Sequence, residues 1–261
     1  MLKHTLNTLA LACLLLATSA PLLSQAQAQA DGQTVYTYVS EFQVPRANWT
    51  QFAADTDRTA KPIFQRLMAD GTLTSWGIFE NVVHTTDGMT NGSWWQSTSL
   101  AGIMRVLDEL RKAGPSSGQL ASTKHEDYFL RTVEHRGRAV NQPAGYVRVV
   151  SVATQPGKDD DYLAAVKKYL VPTFDQQLAS GNILTWGYDT QFVNTGPPSG
   201  RSLVFIYPDA AAMDKAVTAV MGTINNMSPD DKKGWQDALA ATTVADSRRD
   251  YLVRVTSSGH K

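Results

Sequence analysis

Outside the first thirty residues the chain has four histidines, His84, His125, His135 and His260, and no cysteine, because Cys13 is the only one. It contains no phosphate-cradling glycine loop and no His-Glu-x-x-His pair, so nucleotide-dependent, zinc-hydrolase and cysteine–metal chemistries lack their usual residues. A haem enzyme would need one histidine as an axial ligand. His84 is the best placed, ending a predicted strand over 73–84 whose one face also carries Trp76 and Glu80. At the mouth of a strand it could equally be solvated or bonded to a turn. Glu80 and His84 lie about 13 Å apart along a strand, too far for those two alone to hold one metal ion. His125-Glu126-Asp127 reads as a solvated strand entry, and His135-Arg136-Gly137-Arg138 as a charged connector.

Aromatic and arginine residues supply the other candidates. Trp76 and Trp186 could floor a small-molecule pocket, with Tyr188, Trp94 and Trp95 as further walls. They could also simply fill the core, since aromatic side chains dominate buried area. The glycine after each tryptophan, Gly77 and Gly187, removes a side chain at that point of the strand and hints at space beside the ring. Arg131 and Arg254 occupy matching places on two later strands. Turned inward they could hold a carboxylate or an oxygenated ligand; turned outward they would charge a sheet rim.

These residues are positioned by a repeat. Pro62 to Gly77 reads PIFQRLMADGTLTSWG, and Pro172 to Gly187 reads PTFDQQLASGNILTWG. Pro62, Phe64, Ala69, Gly71, Trp76 and Gly77 recur as Pro172, Phe174, Ala179, Gly181, Trp186 and Gly187, always 110 positions on. Strands at 36–42 and 146–152 precede the repeat in each half, and strands at 73–84 and 183–193 begin within it. Asn48, with Gln51 three residues on, predicts a capped helix leading into the first copy. Pro62 and Pro172 predict a kink or break in the helix of each half, and Gly71 and Gly181 a left-handed helix end. Third strands at 93–97 and 203–207 follow, then helices capped by Ser99 and Asp209. The last strands, 128–133 and 251–255, stand 123 apart, so the second half holds a 13-residue insertion, read as a short helix carrying Trp235.

Each half therefore reads βαββαβ, the ferredoxin-like order, with an antiparallel sheet whose second face needs cover. Two tandem copies, 31–141 and 142–261, can cover each other's sheets within one chain. The ends and the charge bound the rest. A basic start at Lys3 and His4, an apolar run over 9–20 and Ala-Gln-Ala sites at 26–30 read as a signal peptide over 1–30, so the expected location is periplasmic or secreted. Without Lys3, 23 basic residues face 24 acidic ones, which argues against nucleic acid as a partner. No later apolar run has the length of a membrane helix.

The doubled element order and the Pro-x-Phe-x4-Ala-x-Gly-x4-Trp-Gly repeat resemble the dimeric α+β barrel superfamily. That resemblance implies an α+β fold, with two ferredoxin-like repeats packed sheet to sheet as an intramolecular barrel and the chain a monomer with an internal pseudo-twofold. The superfamily hosts many activities, including cofactor-independent oxygenases, lactone isomerases and haem-containing chlorite dismutases. The expectation is an exported protein that binds a small apolar or aromatic molecule without a cofactor, by way of Trp76, Glu80, His84, Trp94, Trp186, Tyr188, Arg131 and Arg254. An oxygenase- or isomerase-like step would suit the scaffold. A haem protein with His84 as ligand and a non-catalytic envelope or stress protein are the alternatives.

Overall fold

The computed structural model describes residues 34–86, 88–138, 142–193 and 200–260. The predicted signal over 1–30 and the turn at 194–199 lie outside the described residues. The first repeat runs β1 (Val35–Gln43), α1 (Trp49–Ala69), β2 (Ser75–Asn81), β3 (Asn91–Ser97), α2 (Leu100–Ala113), α3 (Ser117–Leu120) and β4 (Lys124–Gly137). The second runs β5 (Tyr146–Ala153), α4 (Asp159–Tyr169), α5 (Val171–Ala179), β6 (Thr185–Gln191), β7 (Gly200–Tyr207), α6 (Ala210–Asn225), α7 (Pro229–Thr242) and β8 (Arg249–His260).

Within each half the strands pair in one order, β4-β1-β3-β2 and β8-β5-β7-β6. Antiparallel pairs β2·β8 and β4·β6 then join the halves into a closed barrel. The sheets thus share hydrogen-bonded edges as well as facing each other, so among the described residues each strand has a neighbour on both sides.

Alternation along the strands sorts the core into three layers. Outward residues Trp76, Ile78 and Trp95 pack with Phe64, Leu67, Ile103 and Val106 of α1 and α2. Outward residues Trp186, Tyr188, Leu203 and Phe205 pack with Tyr162, Val166, Phe174 and Ala216 of α4, α5 and α6. Inward residues Phe79, Trp94, Val147 and Val253 meet across the barrel lumen.

Local chemistry explains the helix ends. Ser99 Oγ accepts from the Gly102 amide at 3.0 Å and Asp209 Oδ1 from the Ala212 amide at 2.8 Å, as expected of both caps. Gly71 and Gly181 adopt φ 86° and 81° after their helices, the left-handed conformation glycine accepts without strain. Ser228 caps α7, and Trp235 of that inserted helix packs edge-on to Tyr169 at 5.9 Å.

Three expectations are corrected. Asn48 makes no side-chain cap, and Gln51 reaches forward to Asp55 instead. No break falls at Pro62, where α1 runs as 21 continuous residues, whereas the second helix divides at Leu170 as expected. There Pro172 falls in the first turn of α5, where its missing amide is no loss. Strand β2 ends at Asn81, so Val82 and His84 do not continue its face.

The two Trp-Gly pairs differ in what stands over the glycine. A Cβ on Gly77 would lie 2.0 Å from the Trp94 ring, whereas one on Gly187 would meet nothing nearer than the Glu134 carbonyl at 3.5 Å. Gly77→Ala is therefore expected to destabilise by about 1–3 kcal/mol through overpacking. Gly187→Ala should stay within about 1 kcal/mol of the native protein. Chemical denaturation of the two variants checks the contrast.

Candidate functional site

A cavity of about 470 Å³ lies between the sheet of the first repeat and its helices. Its origin is a pair of small residues. Ser40 on β1 stands directly opposite Ser93 on β3, where the second repeat, 110 positions on, pairs Val150 with Leu203. In the second repeat those two residues join a solid core that includes Tyr162, Phe174 and Phe205. In the first, the deleted volume remains open between Phe42, Trp95, Phe52, Leu107 and Leu110.

A polar cluster stands on one wall. The two-residue period of β4 turns His125 and Asp127 outward, opposite Phe42 and Ser40. Ser40 Oγ lies 2.9 Å from His125 Nε2, and Asp127 Oδ1 lies 3.0 Å from the same nitrogen. The His125 ring stacks on Phe42 at 4.4 Å, which fixes its plane. Burial and a hydrogen bond to Asp127 hold the Tyr38 phenol protonated well above its usual range. Because Ser40 and Asp127 share one imidazole nitrogen, the three do not form a nucleophilic relay, in which the carboxylate must hold the other nitrogen. The arrangement offers instead a base and hydrogen-bond partner on the wall of an apolar chamber.

The far wall is held by Asp55, fully buried on α1. Its Oδ2 accepts from Ser117 Oγ at 2.6 Å and the Gly118 amide at 3.2 Å, and Gln51 donates to Oδ1. These bonds, led by that from Ser117, hold the carboxyl below its usual pKa. They clamp the single turn of α3, and with it Ser116, Gln119 and Leu120, over the cavity.

The residues singled out from the sequence do not meet at one place. Trp186 and Tyr188 are packed solid in the second repeat, 0% and 1% exposed. Trp76 packs outward on Phe64 at 5.5 Å, and with the inward-facing Trp94 it borders a separate cavity inside the barrel. Glu80 and Arg254 pair across β2 and β8 at 3.3 Å on the outer surface, and Arg131 is exposed there too. His84 is an exposed loop residue 4.7 Å from the Trp49 ring and lines neither cavity, so it is not placed as the axial ligand of an enclosed haem. Among the described residues no cluster of three or more His, Cys, Asp or Glu could hold a metal ion.

Of the residues that do gather, Ser40 falls inside the strand predicted over 36–42, and His125 and Asp127 in the predicted strand entry. The available signal was the comparison of repeats, with Ser40 and Ser93 standing where Val150 and Leu203 stand 110 positions later.

No protein-family model matches the chain, and no curated protein is similar to it in sequence. Solved structures are similar in fold. A candidate monooxygenase from Fusobacterium nucleatum superposes with TM-score 0.64 at 11% identity, covering 88% of this chain and 96% of its own. A candidate monooxygenase from Lactobacillus acidophilus gives 0.61 at 13% identity, covering 87% and 96%. An anthrone oxidase-like protein gives 0.56 at 9% identity, covering 88% and 94%. The fold is that of the dimeric α+β barrel proteins, with both halves supplied by one chain. No helix among the described residues is long and apolar enough to cross a membrane.

The Asp55 clamp titrates. A carboxyl whose folded pKa is depressed contributes stability that is present above its unfolded value and lost as pH falls through the folded one. Asp55→Asn is therefore expected to lower the Tm at pH 7. The gap to the native protein should narrow below pH about 4, where carboxylates protonate. Thermal unfolding at the two pH values checks it.

Proposed function

We propose that the protein binds a small aromatic or largely apolar molecule bearing an acidic hydroxyl in the cavity between β1, β3, β4 and α1, α2. The observation that carries this reading is the His125–Asp127 pair, 3.0 Å apart, on the wall of a 470 Å³ chamber whose lining includes apolar Phe42, Phe52, Trp95, Leu107 and Leu110 beside polar Thr56, Arg111 and Gln119. Such a chamber desolvates an apolar ligand, and a few placed polar groups orient it. With Nε2–H given to Asp127, His125 accepts the ligand hydroxyl's hydrogen bond at Nδ1. If turnover follows, the imidazole takes that proton, and the Asp127 carboxylate stabilises the charge gained by the ring. Returning the proton to a ring carbon instead of the oxygen, an enol-to-keto shift, would be an isomerase-like step; if the anion instead gives its electrons to dioxygen, one oxygen atom forms a new C=O on that carbon and the other leaves as water, an oxygenase-like step. The solved neighbours described as monooxygenases and as anthrone oxidase-like make the second attractive, on likeness of fold. The reading asks nothing of a metal or haem. We also take residues 1–30 as an export signal that places this chemistry outside the cytoplasm.

Titration of the native protein with 1-naphthol and with its methyl ether, followed by ligand fluorescence, tests the assignment. The naphthol should bind more tightly. His125→Ala should weaken it by about tenfold, the worth of one hydrogen bond to a polarised partner, and leave the ether within about twofold. Equal binding of the two ligands, or a naphthol affinity indifferent to His125, would refute it. A Soret band on adding hemin that His125→Ala abolishes would favour a haem protein instead.

A further inference from the structure

The barrel lumen holds a second cavity, about 300 Å³, separated from the first by the sheet itself. Its mouth lies among strand ends, with Ser75 opening β2, Gly137 closing β4, Thr185 opening β6 and His260 closing β8. One wall is apolar, made by Trp94, Val204, Ile206 and Val35. The other is polar, with the hydroxyls of Ser75, Thr132, Thr185 and Ser258 and the amide of Gln96.

Asp189 lies in the polar wall. It follows the outward Tyr188 on β6, so it faces the lumen, and it is only 5% exposed. Among the described residues its one hydrogen bond comes from Thr132 Oγ1, at 2.6 Å, and no ion pair reaches it. Burial pushes its carboxyl up to about 6, so it is mostly ionised at pH 8. A buried carboxylate with one neutral donor is under-compensated. The basic groups nearby do not answer it. His135 lines the same cavity, but burial lowers its pKa, which keeps the ring neutral. Arg138 turns its guanidinium to the Leu178 carbonyl, 3.3 Å away, at the end of α5. Gly187 enlarges the space next to Asp189, since a Cβ there would find only ordinary contacts.

We propose that the lumen is a binding site for a small primary amine, whose ammonium group pairs with Asp189 while its short carbon chain lies against Trp94, Val204 and Ile206. The ammonium supplies three donors, one for the carboxylate and two for neighbouring hydroxyls. The indole face of Trp94 adds attraction for a cation. The volume, about ten waters' worth, limits the ligand to a compact amine. This site shares no lining residue with the chamber around His125 and does not depend on it.

Calorimetric titration of the full chain at pH 8 with n-butylamine, 1-butanol and butyrate tests the proposal. Butylamine should bind at least tenfold more tightly than butanol, and butyrate should not bind. Asp189→Asn keeps the acceptor for Thr132 and removes the charge; it should cost butylamine at least tenfold and leave 1-naphthol binding unchanged. Chemical-shift mapping on the native protein supplies a readout independent of the variant, with the Gly187, Asp189 and Val204 amides expected to move. Butanol binding as well as butylamine, an Asp189→Asn protein that binds butylamine undiminished, or shifts confined to the outer surface would overturn it.

Discussion

The structure depends on two strand pairings that cross from one repeat to the other. When β2 joins β8 and β4 joins β6, four strand edges disappear at once and both sheets curl into a closed wall. Neither repeat could leave its inward face, Phe79 and Trp94 in one and Val147 and Val204 in the other, exposed to water. Closure therefore creates an inner layer and two outer layers, and each layer can be filled or left open independently. The two cavities follow from that partition. One lies outside the wall where the first repeat has serines, and the other inside it where glycine and small polar residues line the lumen.

Closure also explains which parts of the architecture were legible in the sequence. Trp76 and Trp186, the glycines after them and the caps at Ser99 and Asp209 act within one repeat. Each carries a local signature that repeats at a spacing of 110 positions, so element order and fold class could be read directly. Strand β4 could not. Its reach past Val133 to Gly137 is imposed by β6 of the other repeat, with His135 opposite Gly187 and Arg136 opposite Trp186. A stretch rich in His, Arg and Glu has no apolar alternation of its own to announce a strand, and it read as a connector. The same holds at the other end, where His125 and Asp127 belong to β4 only because β1 extends to Gln43 beside them.

The site residues were less legible for a related reason. Rare and aromatic residues draw attention, and most of those singled out are core or surface. Trp186 and Tyr188 fill the second repeat, and Glu80 and Arg254 neutralise each other across a strand pair. The chamber arises from what is missing. Replacing the Val150–Leu203 pair by Ser40–Ser93 deletes buried methyl groups from an outer core. Such a deletion costs a folded chain stability, and a ligand filling the space would restore part of it. The duplication thus left one half as a packed support and opened the other. His125 and Asp127 stand at the open half, and the positions 123 later are Arg248 and Asp250, an exposed ion pair at 2.9 Å.

The direct measurement is to write the second repeat's pair into the first. In the Ser40→Val/Ser93→Leu protein the added side chains occupy the chamber; His125 and Asp127 are retained, and His125 loses only its Ser40 contact. In this protein 1-naphthol binding should be lost while the Tm is unchanged or raised, since buried apolar groups replace empty space. A double variant that folds and still binds the naphthol with native affinity would contradict it, because the ligand would then lie somewhere other than between the sheet and helices of the first repeat.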